Sequence, residues 1–91
     1  MEDIRFDDAS YSALGKAGIT WQVAQEVLRT HPQVRQHIGA VLRVAAPVRD
    51  ERWIVVALIE EADDEYLVVS ARELGDTEIA AVQKMIEGGN R

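Results

Sequence analysis

Three arginines interrupt or border apolar runs: Arg43 inside VLRVAA, some residues before the next turn, Arg52 just before WIVVALI, and Arg72 closing YLVVSAR. Turns that stop strands usually draw on Gly, Asn or Asp, so an arginine in such a place either snorkels to solvent or faces something negative. A guanidinium offers a planar fork of donors that matches phosphate oxygens. Arg43, Arg52 and Arg72 on one sheet edge would therefore make a phosphate site. Two histidines add the residue type suited to proton transfer near neutral pH. His31 precedes Pro32 in a helix–strand connection and reads as an exposed polar residue. His37 is the better candidate base, its alternative being a solvated strand or turn residue. Two histidines six residues apart without further ligands do not make a metal site, and no cofactor is expected.

The elements that must position these groups follow from periodicity. Ile4 and Phe6 alternate with Asp3, Arg5 and Asp7, which predicts a short strand. Ser10 can cap a short helix through Leu14 that Gly18 closes, with Ile19 as the apolar contact after it. Thr20 opens a second helix with an apolar face of Val23, Ala24, Val27 and Leu28, and Thr30-His31-Pro32 ends it. The period then becomes two. Residues 41–46, 53–59 and 66–71 are rich in Val, Ile and aromatics, and the polar stretches PVRDER and EEADDE separate them. Continuous WIVVALI fits a central strand covered on both faces. A last helix is predicted over 76–87, capped by Asp76, stopped by Gly88-Gly89, and packed through Ile79, Val82 and Ile86. The expected fold is a two-layer α+β domain over residues 1–91: a strand, a helical hairpin, an antiparallel meander of three or more strands, and a helix on the sheet.

With 91 residues the chain has material for one core. It has no cysteine, which excludes thiolate chemistry and disulfides. The acidic opening MEDIRFDD has no apolar stretch like that of a signal peptide, and no run approaches a membrane span, so a cytoplasmic protein without membrane contact is expected. A net charge of −6 argues against a broad basic surface. Between residues 29 and 52, however, five arginines and both histidines face only Asp50 and Glu51, so the middle of the chain is locally basic. The five carboxylates of EEADDE read as a solvated hairpin tip that also discourages edge pairing.

The segments KAGITWQVAQEVL, RWIVVALIEE and YLVVSAREL, with a Glu in the first turn of the closing helix, resemble the BrnT family of toxins from type II toxin–antitoxin pairs. That family is similar in turn to the RelE-like ribonuclease fold. Phe6-Asp7, Lys16-Ala17-Gly18-Ile19-Thr20-Trp21, Arg52-Trp53-Ile54-Val55-Val56 and Val69-Ser70-Ala71-Arg72 stand where the family's short motifs fall, in the same order and over nearly the whole chain. The departures lie where the chemistry would be. Arg43 matches the family's arginine on the strand after the second helix, but Gly39-Ala40 offers no acid before it, so His37 is the nearest titratable group. Of the family's Glu-Arg-x-x-Tyr pattern in the last helix only Glu78 is kept, with Ile79 and Val82 in the other two places.

The resemblance implies a metal-independent ribonuclease that binds RNA phosphate with Arg43, Arg52 and Arg72 and is neutralised by a cognate antitoxin protein; His37 stands as the candidate base from its own chemistry and not from the resemblance. Cleavage by internal attack of a 2′-hydroxyl needs a base, an acid and cations for the charge building on phosphorus. The alternative is a non-catalytic interaction module of the same fold whose arginines bind a partner's carboxylates. Trp21, Val34 and Ile38 are expected at a partner surface, with a homo-dimer as a further arrangement.

Overall fold

The structure, a computed structural model, describes residues 3–49 and 51–89. Along the chain run β1 (Asp3–Arg5), α1 (Asp8–Lys16), α2 (Trp21–Arg29), β2 (Val34–Ile38), β3 (Val41–Pro47), β4 (Trp53–Ala62), β5 (Glu65–Glu73) and α3 (Asp76–Gly89). The strands form one five-stranded sheet in the order β1-β5-β4-β3-β2. Strands β2 to β5 make the expected antiparallel meander, and β1 adds to β5 in parallel.

The expected α+β class holds, but the layering differs from the two layers expected. Leu14, Ile19, Ala24 and Val27 of the helical hairpin pack on Leu42, Val44, Ile54, Val56, Leu58 and Val68 on one sheet face. Ile79 and Val82 of α3 pack on Ala45, Val55 and Leu74 on the other. The helices thus sandwich the sheet, and the unbroken apolar run of β4 is the reason: successive residues point to opposite faces, and both faces need cover. Burial of a Val, Leu or Ile side chain contributes about 1.5–3 kcal/mol, so β4, with Ile54, Val55, Val56 and Leu58 all buried, anchors both layers.

Two local assignments move by a few residues. Asp7 caps α1, accepting the Ser10 amide at 2.9 Å, while the Ser10 hydroxyl accepts the Asp7 amide at 3.0 Å. The Ser10 amide holds the Asp7 carboxyl below its ordinary range. Ser10 is therefore inside the helix and buried, and its hydroxyl donates to the Val68 carbonyl of β5. Gly18 closes α1 as expected, at φ 71°, and the Ile19 amide reaches back to the Leu14 carbonyl at 3.0 Å. At α3 the Gly75 carbonyl, not Asp76, takes the capping place, accepting the Ile79 amide at 2.9 Å. That helix runs on through Gly88 and Gly89, where the sequence predicts a stop. Strand β2 is additional to the strands that periodicity predicts: VRQHI is an exposed edge strand with two apolar residues, so it leaves little hydrophobic signal. Among the described residues no helix is long and apolar enough to cross a membrane.

Ser10 ties the start of α1 to the middle of β5, so Ser10→Ala removes half a capping box and leaves a buried carbonyl without its donor. The expected loss is about 1–3 kcal/mol, or a midpoint lower by at least about 4 °C for a domain of this size. Thermal unfolding of Ser10→Ala beside the exposed control Ser12→Ala checks it.

Candidate functional site

The face of β5 on which Arg72 emerges is set by one extra residue. Leu58 pairs with Val68 and Ala57 with Ser70, so Val69 has no partner on β4 and forms a β-bulge. In an unbroken strand Arg72 would share a face with Tyr66 and Val68, against the helical hairpin. The bulge flips the remainder of the strand. Ala71 joins the hairpin core, and Arg72 turns to the α3 face beside Val55.

Arg43 arrives on that face from β3. It pairs with Ala57, which pairs with Ser70, so Arg43, Ala57 and Ser70 form a row across three strands. Arg72 lies in the next row, and a shallow groove of about 190 Å³ opens between them, lined by Arg43, Val55, Ala57, Ser70, Ala71 and Arg72. Arg43 makes no hydrogen bond or ion pair within the described residues.

Arg72 is engaged by Glu78 from the first turn of α3. Its two terminal nitrogens meet carboxylate Oε1 and Oε2 at 2.8 Å and 2.5 Å, and the Gly75 amide donates to Oε1 at 3.1 Å. The Arg72 guanidinium, with the Gly75 amide and the further attraction of Arg72 and Arg43, pulls the Glu78 carboxyl down to about 2. Glu78 in turn raises the pKa of Arg72. Both side chains remain about half exposed. A solvated pair of this kind adds little to stability, so another anion of the same geometry can replace the carboxylate at small cost. The two carboxylate oxygens stand where two oxygens of a phosphate would bind the same fork.

Of the four site residues expected from the sequence, the structure brings two together. Arg52 lies just outside β4 and reaches Glu73, at 3.8 Å. Glu73 follows Arg72 in an extended strand and so points to the opposite face, which removes Arg52 from the groove. The expected convergence of three guanidiniums is thereby corrected to a pair. His37 pairs with Leu42, whose side chain belongs to the hairpin-side core, so His37 is exposed on the wrong face to serve a phosphate held by Arg43 and Arg72. His31 is exposed in the α2–β2 connection. Ser70 carries no signal of its own in the sequence, and Glu78 reads there only as a favourable charge at a helix start. The signal for Ser70 is its place two residues before Arg72, which puts the two on one face; the bulge decides that this is the face of Arg43.

Of the surface residues named from the sequence, Trp21 is 42% exposed on α2, Ile38 is 59% exposed on the α3 face, and Val34 is half-buried near the end of α3. Trp21 and Ile38 are on opposite sides of the sheet and do not form one patch.

No protein-family model matches the sequence, and no curated protein sequence matches it significantly. A search of solved structures finds the crystal structure of the ribonuclease toxin BrnT of Brucella abortus, with a TM-score of 0.61 and 14% identity over 84% of this chain and 100% of that one. At that identity the likeness is one of fold, and it bears out the expectation drawn from the motifs: the chain has a BrnT-like α+β fold.

Proposed function

We propose that the groove between Arg43 and Arg72 takes a phosphate of RNA, and that the chain acts in the cytoplasm as a toxin-like, metal-independent ribonuclease held silent by a partner protein. The observation that carries this reading is the Val69 bulge, which turns Arg72 onto the face already bearing Arg43. The likeness to a ribonuclease toxin supports it at the level of fold.

In this mechanism the phosphate displaces Glu78 from the Arg72 fork, and Arg43 neutralises the charge that grows on the non-bridging oxygens. Glu78 is the carboxylate left beside the phosphate, and loss of its arginine partner makes it more basic. It takes the proton of the 2′-hydroxyl as that oxygen bonds to phosphorus. The phosphorus–O5′ bond breaks, water protonates the departing oxygen, and a 2′,3′-cyclic phosphate remains. His37 takes no part, in contrast to the role expected from the sequence.

A non-catalytic interaction module is the second reading, favoured by the engagement of Arg72 with an internal carboxylate and by the distance of both histidines from the groove. In that case the arginines hold a partner's acidic residues.

Induced expression separates the two. The ribonuclease reading expects growth arrest, relieved by Arg72→Ala or Arg43→Ala. With purified protein each of these variants should cleave single-stranded RNA about 10²–10³-fold more slowly, the usual cost of losing one preorganised charge donor. Glu78→Gln should lose about 10²-fold in rate while binding RNA at least as well as the parent, and His37→Ala should stay within about twofold. Intact RNA after prolonged incubation with the parent chain would leave the interaction module.

A carboxyl NMR titration of the free protein should place the Glu78 midpoint near 2, against 4.5 for the unperturbed group. Because the folded value is the lower one, the pairing favours the folded state above the unfolded value of 4.5. That contribution is lost as pH falls through about 2. Saturation with 2′-O-methyl RNA, which binds but has no hydroxyl to react, should move the midpoint upward as Arg72 turns to phosphate. No movement would remove the displacement step.

A further inference from the structure

Helix α3 covers only part of its sheet face. It starts after β5 at Asp76, packs over Val55, Ala45 and Leu74, and reaches the β2 edge, where Met85 meets Gln36. Four residues further along β4 the same face is open. Ile38 pairs with Val41, Val41 with Ile59, and Ile59 with Leu67, so four aliphatic side chains form one row across β2, β3, β4 and β5. Ile38 is 59% and Ile59 39% exposed, and Val41 and Leu67 are half-buried. The row is three strand spacings wide, about 14 Å, which three turns of a helix would span.

The borders of the row differ in charge. On one side lies the hairpin tip with Glu61, Asp63, Asp64 and Glu65, where Glu61 also meets Arg5 at 3.5 Å; Glu60, paired with Tyr66, is on the opposite face. On the other side lies the row of Gln36, Arg43, Ala57 and Ser70, and beyond it Arg72. An apolar strip with an acidic margin and a basic margin is complementary to an amphipathic helix that carries cations along one flank and carboxylates along the other.

We infer that this open half-face seats an amphipathic helix of a partner protein, lying alongside α3, with aliphatic residues on Ile38, Val41, Ile59 and Leu67. Its basic flank faces the acidic tip and its acidic flank faces Arg43 and Arg72. The row is four residues from Val55 along β4, about 13 Å, little more than the spacing of two packed helices. A helix seated there closes the groove between itself and α3, and its carboxylates occupy the guanidiniums that a phosphate would use. The inference deepens the proposed function, naming the surface through which a partner silences the site, and rests on the groove being an anion site.

The test uses the full chain with methyl-labelled Ile, Leu and Val and four helical peptides of equal length, without RNA. Three share one Leu/Ile face and carry Glu and Lys on separate flanks, Glu on both, or Lys on both; the fourth has the mixed flanks and a scrambled apolar face. The expected result is methyl shifts at Ile38, Val41, Ile59 and Leu67, with the mixed-flank peptide bound at least tenfold tighter than the other three. Raising the salt should narrow that margin. Ile38→Asp and Ile59→Asp, both at exposed positions, should each weaken binding at least tenfold, and Trp21→Ala on the opposite layer should not change it. Equal affinity for the three flank patterns, shifts confined to the helical hairpin, or no binding by any peptide would overturn the inference. So would a parent chain that self-associates through this row and becomes monomeric as Ile59→Asp, which would make a second copy the occupant. Because binding is read without cleavage, a chain that binds the mixed peptide but leaves RNA intact keeps this surface and loses only the ribonuclease reading.

Discussion

The unpaired residue Val69 decides what the second face of the sheet can do. A strand side chain has only two directions available, and a shift of one residue exchanges them for everything that follows. Without the bulge, Arg72 would be driven toward the apolar hairpin layer, where its charge would cost several kcal/mol unless paired, and Ala71 would be wasted on the open face. With it, the small side chain enters the core and the charged one meets solvent, Arg43 and Glu78. The residue just before the bulge is held from the other layer: the Ser10 hydroxyl, fixed by the capping box of α1, donates to the Val68 carbonyl. The register of β5 and the start of α1 are thus one constraint seen from two sides of the sheet.

Most of the element order is legible in the sequence because each boundary has a local chemical cause. Gly18 is at positive φ, Thr20 accepts the Val23 amide at 3.2 Å, and the meander strands announce themselves through Val and Ile. What is illegible has causes that are not local. Strand β2 is held by pairing with β3 rather than by its own apolar content. The bulge has no signature in YLVVSAREL, since Val68 and Val69 are equally at home facing either layer. The site was only half readable for that reason: Arg43 and Arg72 were visible as candidates, but whether they share a face with each other, with Arg52 or with His37 depends on parity, which one unpaired residue reverses.

The departures from the family pattern in α3 acquire a physical sense. Ile79 and Val82 stand where an arginine and a tyrosine would be expected from the resemblance, and both are packed against Ala45, Val55 and Leu74. Here the helix is fixed to the sheet by aliphatic contact, and its polar link to the site is reduced to Glu78. Glu78 also receives the Gly75 amide, so the start of α3 and the orientation of the carboxylate are set together. The acid that faces Arg72 is consequently part of a helix cap, rigid at its base and solvated at its head.

A chain of net charge −6 does not attract RNA from a distance. The anion site proposed here has to work at short range, through fork geometry rather than through field. The same geometry fits a carboxylate as readily as a phosphate, and the molecule supplies one of its own in Glu78. An external carboxylate on a partner would be a third claimant to the same nitrogens. Three anions competing for one fork cannot be bound independently: each must bring something besides its charge in order to win. Glu78 has proximity, RNA would have a second contact at Arg43, and a partner helix would have the aliphatic row beside the groove. In the proposed scheme the balance among them is governed by uncharged neighbours, Ile38, Val41, Ile59 and Leu67 on one side and the Gly75 cap on the other, more than by the arginine that all three address.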